Sequence, residues 1–305
     1  MHVGRAAGLT DKGRKRRQNE DAFVCDPPLF AIADGMGGAQ AGEQASRLAA
    51  AAIEEAASAV SGEEGVAGLV RTANLRIFQR SLQDPAVAGM GTTVTVALID
   101  EHAGTLTVAH VGDSRAYLYR DGALEQLTTD HSLVGELVRS GRLTEDEAAV
   151  HPHRSVITRA LGTEEDVEVD TRTLEIAPGD LVLLCSDGLS AMVRDDEIAR
   201  VVDASAGDPH GAADALVGAA NAAGGEDNVT VVVFEIVEGE PPTRAAPESQ
   251  AAGTVLLDPD AETSETAVDD VRRHGAGKGS RWPALLLVLA LLAVAAFVLW
   301  WSLLR

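Results

Sequence analysis

The sequence has 305 residues, a formal net charge of −22, 46% hydrophobic residues and only 3% aromatic residues. This length suffices for one large domain with its own core, and the hydrophobic fraction excludes a disordered acidic chain. The acidic balance argues against a nucleic-acid-binding protein, which needs cations to displace the counterions of phosphates. The two cysteines, Cys25 and Cys185, cannot form a disulfide framework and indicate a reducing compartment.

Six stretches rich in valine and threonine, each bounded by turn residues, predict β-strands. In chain order they read LFAIAD, TTVTVALID, GTLTVAHVGD, RAYLYRDG, DLVLLCSD and NVTVVVFEIV. The run from TTVTVALID to RAYLYRDG predicts a meander of hairpins, with Gly104, Gly112 and Gly122 at the turns.

Helical periodicity is found in four other stretches, at residues 42–60, 65–82, 131–149 and 208–223. Sequential hairpins indicate an antiparallel sheet, and the alanine-rich helices need apolar surfaces to cover. The predicted fold class is therefore α+β, with antiparallel sheets stacked as a β-sandwich and flanked by α-helices.

The C-terminal part of the sequence predicts a membrane anchor. Residues 283–304 (PALLLVLALLAVAAFVLWWSLL) carry no charge and are long enough to cross a bilayer about 30 Å thick as a helix. Four basic residues precede this stretch and only Arg305 follows it, which places the N-terminal side in the cytoplasm. We expect a folded cytoplasmic domain at 1–238, a flexible Pro-, Ala- and acid-rich linker at 239–281 and a transmembrane helix at 282–304, that is, a single-pass protein of the cell membrane.

Acidic residues recur at the ends of the predicted strands. They are Asp34, Asp113 and Asp187 after strands, Asp227 before a strand, and the neighbouring pair Glu20 and Asp21. One such aspartate beside a glycine is typical of a turn, but turns do not explain the whole set. Carboxylates brought together take up protons unless a cation compensates them, and Mg²⁺ and Mn²⁺ prefer oxygen ligands.

Two further features fit a site that binds metal and phosphate. Glycines in DGMGG, beginning with Gly35, let backbone carbonyls approach an ion, and two ions can activate a water and hold a phosphoryl group. The basic segment at 12–17 offers arginines suited to phosphate, although it is equally consistent with a solvated turn. A cysteine phosphatase is excluded because neither cysteine has an arginine six residues later. The pattern predicts a two-metal hydrolase.

Eight motifs, in chain order, resemble the bacterial type 2C serine/threonine protein phosphatases (the PPM family). They are RRQNED, ADGMGGAQAGEQAS, GMGTTVTVAL, VAHVGDSRAYLYRDG, LTTDHSLV, HPHRSVITRALG, LLCSDGLS and GGEDNVTVVVF. They extend from about Thr10 to Glu235. The resemblance implies the fold of that family, a β-sandwich flanked by helices with the metal centre at one end.

The resemblance also implies roles for individual residues. Asp34 would bridge two divalent ions, Mn²⁺ or Mg²⁺, and Gly35 would contribute its backbone carbonyl. Asp187 and Asp227 would complete the first metal site. Arg16, four residues before the glutamate of the Glu-Asp pair, would bind the phosphate.

Other positions are implied to support this centre. Glu20 and Asp21 would order metal-bound waters, and Asp113 would help to hold a third metal, with Ser155 as a substitute ligand. The segment at 129–154 corresponds to the variable flap over the site.

The implied activity is hydrolysis of phosphoserine and phosphothreonine in proteins by a metal-activated water, without a phosphoenzyme. Met36 stands where some relatives have a histidine proposed as general acid, so no protein acid is assigned. The implied partners are phosphorylated proteins, namely membrane serine/threonine kinases, which the enzyme would oppose, and their substrates. Two alternatives stay open: a phosphatase acting on an anti-anti-sigma factor, and an inactive relative that only binds phosphopeptides.

Overall fold

The computed structural model describes residues 1–56 and 60–239. The strands are β1 His2–Asp11, β2 Asp21–Asp26, β3 Leu29–Met36, β4 Gly91–Thr92, β5 Val94–Asp100, β6 Thr105–Val111, β7 Arg115–Arg120, β8 Ala123–Gln126, β9 Asp170–Glu175, β10 Leu181–Cys185 and β11 Val229–Val237. The helices are α1 Ala39–Ala56, α2 Gly62–Gln83, α3 Leu133–Arg139, α4 Glu145–Ala149, α5 Asp187–Ser190, α6 Asp195–Ala204 and α7 Pro209–Ala222, with a 3₁₀ turn at Pro85–Val87.

These strands form two antiparallel sheets. The first has the order β1-β11-β10-β7-β8, and the second has the order β2-β3-β5-β6-β9 with the short β4 paired to β3. Chain neighbours β2 and β3 pair directly, whereas β1 pairs with β11, from the other end of the domain. The N-terminal strand is thereby held at one edge of the first sheet.

The two sheets pack face to face through alternate residues of their strands. Phe30 and Ile32 of β3 lie in one apolar cluster with Val182 of β10 and Phe234 of β11. The rings of Phe30 and Phe234 are stacked, with centroids 3.8 Å apart and planes 8° from parallel. This contact joins the two sheets at the centre of the domain.

Helices cover the outer face of each sheet. On the second sheet, α1 buries Ala45, Ala49 and Ala52, which share one helix face and lie in a single apolar cluster with Ala31 and Ala33 of β3. On the first sheet, α6 and α7 contribute buried side chains to a further cluster. The architecture is a four-layer α/β/β/α arrangement, which confirms the predicted antiparallel sandwich with flanking helices.

Two predictions for individual elements are wrong, and some elements were missed. The meander breaks at Gly112, because β6 and β7 belong to different sheets and the chain crosses between them there. Residues 131–149 form two short helices, α3 and α4, instead of one, because Ser140 caps α3 and Thr144 begins α4 with a capping box. The sequence also failed to predict β1, β2, β9 and α6.

The linker predicted at 239–281 and the transmembrane helix predicted at 282–304 lie, apart from residue 239, outside the described residues. Among the residues that are described, no helix has the length and hydropathy needed to span a bilayer. The domain boundaries at these positions stay predictions.

Candidate active site

Strand pairing brings two of the predicted acids side by side. Asp21 begins β2 and is the direct register partner of Asp34 on β3. The backbone N–H of Gly35 donates to the carbonyl of Glu20 at 3.2 Å, which extends this pairing by one residue. The Glu-Asp motif and the Asp-Gly motif, 13 positions apart in the chain, are therefore neighbours in the second sheet.

Asp187 and Asp227 come from the corresponding end of the first sheet. Asp187 begins α5, two residues after the end of β10, and Asp227 lies two residues before the start of β11. Because β10 and β11 are antiparallel, with Cys185 opposite Val231, the end of one strand meets the start of the other.

Hydrogen bonds that Asp21 accepts join the two sheets at this end. Its Oδ2 accepts from the hydroxyl of Thr230 at 2.6 Å and from the hydroxyl of Ser186 at 2.9 Å. Ser186 and Thr230 are themselves linked through the Thr230 N–H and the Ser186 hydroxyl. Neither hydroxyl can be recognised from the sequence, because the importance of both depends on contacts between residues more than 160 positions apart.

Burial and mutual repulsion raise the pKa values of these acids. Burial raises the pKa of Asp21 to about 7, and Asp187 and Asp227 add to this, while hydrogen bonds from Thr230 and Ser186 oppose it. Burial, followed by repulsion from Asp227, raises the pKa of Asp187 to about 6. The pKa of Asp34 lies well above its usual value, because of burial and then because of the charges of Asp21 and Asp187.

Two carboxylate oxygens in this cluster are suited to binding a cation. Asp21 Oδ1 and Asp187 Oδ1 are buried, and neither has a hydrogen-bond partner within the described part of the chain. Buried acceptors are normally paired, and a hard cation satisfies such oxygens and removes the repulsion between the carboxylates. The donor set, all oxygen, fits Mg²⁺ or Mn²⁺.

The side chains do not already form a closed coordination sphere. In residues 1–56 and 60–239, no three His, Cys, Asp or Glu side chains are arranged so that they could hold an ion as they stand. The carboxylates are neighbours, but their assignment as metal ligands stays a prediction.

Glycines allow the backbone to pack tightly around the cluster. A Cβ on Gly35 would overlap the carbonyl of Gly42 and come within 2.6 Å of the carbonyl of Glu20. A Cβ on Gly42 would overlap the Glu20 carboxylate. Only glycine fits at either position, so the DGMGG motif is needed for the close contact between β3 and the start of α1.

Arg16 lies at the edge of the cluster, and its role as a phosphate ligand stays a prediction. Its guanidinium donates to Asp227 Oδ2 at 2.6 Å, and about half of the side chain is exposed. The hydrogen bond with Asp227 and the negative charge of Glu20 and Asp34 keep the pKa of Arg16 raised, although burial opposes this. A charged guanidinium is thus fixed beside the carboxylates and still open to solvent.

Asn228 holds the loop that carries Arg16. Its amide donates to the backbone carbonyls of Lys12 and Gln18, at 3.0 and 2.9 Å, and its Oδ1 accepts from the Glu20 N–H at 2.8 Å. With 3% exposure, Asn228 connects the basic loop, the Glu-Asp pair and the start of β11. The sequence placed Asn228 beside Asp227 but gave no signal of this role.

Asp113 lies close to the same group. It follows β6, is 7% exposed, and burial together with repulsion from Asp187 raises its pKa to about 8. Its neighbour Ser114 shares a 2.6 Å hydrogen bond with Thr93, and the Thr93 hydroxyl accepts from the Asp34 N–H. A buried hydroxyl pair therefore connects the segment of Asp113 to Asp34.

Ser155 is exposed, and within the described residues no side-chain hydrogen bond joins it to this group, so its role as a third-metal ligand stays a prediction. Near the start of the flap predicted at 129–154, Asp130 accepts a bidentate pair of hydrogen bonds from Arg115. The flap ends at Arg154, whose guanidinium lies 3.1 Å from the carboxylate of Glu226, next to Asp227.

The geometry of this end of the sandwich agrees with comparisons to known proteins. The family model for Protein phosphatase 2C matches residues 18–229. This chain belongs to the protein phosphatase 2C family. It is 40% identical over 238 residues to the serine/threonine phosphatase stp of Listeria monocytogenes, covering 74% of this chain and 93% of that protein.

A second relative is longer than the region that matches. The chain is 43% identical over 240 residues to the serine/threonine protein phosphatase PstP of Mycobacterium tuberculosis, covering 77% of this chain and 46% of that protein. The crystal structure of PstP/Ppp from the same organism superposes with a TM-score of 0.73 at 40% identity, over 77% of this chain and all of that one. The catalytic domain of PstP in complex with two manganese ions gives 0.72 at 39% identity, over 78% of this chain and all of that one.

These findings confirm the resemblance that the motifs indicated. The fold is that of the protein phosphatase 2C family, and the activity is that of its serine/threonine protein phosphatases, which are metal-dependent hydrolases. The membrane anchor and the roles of the individual site residues stay predictions.

Proposed function

We propose that this chain hydrolyses phosphoserine and phosphothreonine in proteins at the carboxylate cluster around Asp34. The observation that carries the proposal is the convergence of Asp21, Asp34, Asp187 and Asp113, each with a raised pKa, at one end of the sandwich. Such a cluster destabilises the fold unless cations offset it, so it is better explained by metal binding than by structure alone.

Asp34, the carbonyl of Gly35, Asp187 and Asp227 would hold two divalent cations, Mn²⁺ or Mg²⁺. The number of ions is supported by the similar catalytic domain of PstP, which is in complex with two manganese ions. When bound, such a pair of ions supplies a nucleophilic water and offsets charge on the phosphoryl oxygens. The buried Oδ1 atoms of Asp21 and Asp187 are available to a metal or to its waters. In this proposal Glu20 and Asp21 orient those waters, and Asp113 with Ser155 would hold a third ion.

Arg16 would bind the phosphate of the substrate. Only one terminal nitrogen of its guanidinium bonds Asp227, and the planar fork suits two oxygens of a phosphoryl group. The ion pair with Asp227 fixes the direction of the side chain, so that less conformational entropy is lost when the phosphate binds.

The direct test is Asp34→Asn, assayed in the full chain with p-nitrophenyl phosphate and a phosphothreonine peptide in Mn²⁺. We expect turnover to fall by at least about 100-fold, because charge stabilisation at the centre is lost. The matched control is Asp166→Asn, which removes one negative charge from an exposed loop. Near-normal turnover by Asp34→Asn would rule out the mechanism, and phosphate release by the parent protein excludes a domain that only binds phosphopeptides.

We further propose that the enzyme is anchored in the cell membrane by residues 282–304 and opposes membrane serine/threonine kinases. The support is the uncharged stretch at 283–304 with basic residues on one side. Anchoring would raise the local concentration of enzyme and kinase for each other. In cells that make the protein, it should fractionate with membranes. In a strain from which its gene is deleted, phosphopeptides of the kinases and of their substrates should gain phosphate. A gain confined to an anti-anti-sigma factor would favour the alternative function.

A further inference from the structure

We propose that the basic loop beside the active site selects phosphoproteins that carry additional negative charge next to the phosphorylated residue. The side chains concerned are Lys12, Arg14, Lys15 and Arg17, here called the basic rim. This proposal rests on the proposed function and adds to it a substrate class, namely acidic or multiply phosphorylated segments.

The backbone of the rim is fixed against the active site. The N–H groups of Arg14 and Lys15 both donate to the carbonyl of Gly225, at 2.8 and 3.2 Å. Asn228 binds the carbonyls of Lys12 and Gln18 on either side. The loop is therefore attached along its length to the turn that carries Asp227.

Gly13 makes this close attachment possible. Its φ of +75° is in the left-handed region that favours glycine, and a Cβ there would overlap the carbonyl oxygen of Asp227. The rim is thus held in one position, directly beside a predicted metal ligand.

The side chains of the rim are free to act on a substrate. All four residues are exposed, and within residues 1–56 and 60–239 none of them forms an ion pair. In the same region the neighbouring Arg16 is paired with Asp227, and Arg154 of the flap is paired with Glu226.

The charge distribution makes the rim unusual for this molecule. Five of the six residues at 12–17 are basic, in a chain whose net charge is −22. The acids nearest in the fold already have partners: Asp227 and Glu226 are in ion pairs, and Asp11 accepts from the N–H of Gly13 and the amide of Asn221. Asp11 keeps its own negative charge, but it is one acid against the four cations of the rim, so the loop beside Asp227 carries a net positive charge.

Catalysis itself uses only Arg16 from this loop. A phosphorylated segment bound with its phosphate at Arg16 continues past the rim, since an extended chain advances about 3.3 Å per residue. Acidic side chains or a second phosphate a few residues from the scissile group would then meet exposed lysine and arginine. Exposed charge pairs are individually weak and are screened by salt, so the preference should be moderate and should fall as ionic strength rises.

The test compares three phosphothreonine peptides of equal length, with neutral flanks, with glutamates, or with a second phosphoserine. The full chain in Mn²⁺ is assayed as the parent protein and as the triple variant Arg14→Gln, Lys15→Gln and Arg17→Gln. The control triple variant Arg71→Gln, Arg76→Gln and Arg200→Gln removes equal charge from exposed positions on α2 and α6.

For the parent and the control we expect kcat/KM to be roughly tenfold higher with the charged peptides at low salt, from several weak pairs acting together. In the rim variant the preference should fall to about twofold, with hydrolysis of the neutral peptide and of p-nitrophenyl phosphate unchanged. Equal gains for both charged peptides would indicate recognition of negative charge in general, and a gain with the second phosphate alone would identify that group as the ligand.

The outcomes separate this proposal from the function on which it rests. Turnover of the neutral peptide without any preference for charge overturns the rim proposal and leaves the phosphatase function standing, whereas no turnover of any peptide contradicts the function itself.

The same proteins are also sedimented with phosphatidylserine and phosphatidylcholine vesicles. If the rim variant loses binding only to phosphatidylserine and keeps the peptide preference, the rim serves a lipid surface and the proposal is overturned.

Discussion

Removing one negative charge from the carboxylate cluster should stabilise the metal-free protein while it weakens metal binding. The perturbation is Asp187→Asn, at a position where burial and Asp227 raise the pKa from 3.8 to about 6. An acid whose pKa is higher in the folded state than in the unfolded state costs stability as the pH rises between those two values. The asparagine is neutral at every pH, and its amide can donate to the neighbouring Asp34 carboxylate.

The expected size follows from linkage. A difference of about two pH units corresponds to about 3 kcal/mol at pH 7.5, where Asp187 is ionised in both states. At pH 4.5 the folded state holds the proton, and the same linkage gives only about 1 kcal/mol. Asp187→Asn should therefore raise the free energy of unfolding in EDTA more at pH 7.5 than at pH 4.5.

Urea denaturation at both pH values, with EDTA and then with Mn²⁺, measures this effect. Binding at 100 times the dissociation constant should stabilise the parent protein by about 2.7 kcal/mol per site, and Asp187→Asn should gain much less. Asp166→Asn, in an exposed loop, is the control and should change little. The reasoning is refuted if Asp187→Asn is less stable than the parent protein in EDTA at pH 7.5, or gains as much from Mn²⁺.

Three further substitutions test other parts of the structure. Gly13→Ala should destabilise the protein by about 2 kcal/mol in urea, because of its positive φ and the overlap with Asp227, and an unchanged stability would contradict the packing of the loop. Phe234→Ala, which removes the stack with Phe30, should cost about 3–5 kcal/mol, whereas the exposed control Leu82→Ala should stay within about 0.5 kcal/mol. Arg16→Lys keeps the positive charge but loses the planar guanidinium, so the KM for p-nitrophenyl phosphate should rise about tenfold while the Mn²⁺ dependence is retained. An unaltered KM would show that Arg16 does not bind the phosphate.

The central strands could be predicted from the sequence because both of their faces are buried. The strands β3 and β10 contact the opposite sheet on one side and helices on the other, so they appear as continuous apolar runs. The edge strands β1 and β9 carry glycine, arginine and acidic residues and give no such signal. The meander predicted through Gly112 was wrong for a related reason. A turn signal in the sequence does not show which sheet the next strand joins.

The same distinction applies to the site. The aspartates Asp34, Asp113 and Asp187 could be identified because each lies within two residues of the end of a recognisable strand. Ser186 and Asn228, which hold the site together, could not be identified from the sequence. Each forms a hydrogen bond with a residue more than 160 positions away. Their hydrogen bonds exist only once β2, β10 and β11 meet at one end of the sandwich.

The central claim is that the carboxylate cluster binds the ions on which hydrolysis depends. The most direct measurement titrates the EDTA-stripped full chain with Mn²⁺ and follows bound metal, by equilibrium dialysis, together with phosphate release from a phosphothreonine peptide. We predict no release without metal, activity that rises as two ions bind per chain, and loss of both binding and activity in Asp34→Asn. Full activity in the stripped protein, or two ions bound as tightly by Asp34→Asn as by the parent protein, would contradict the account.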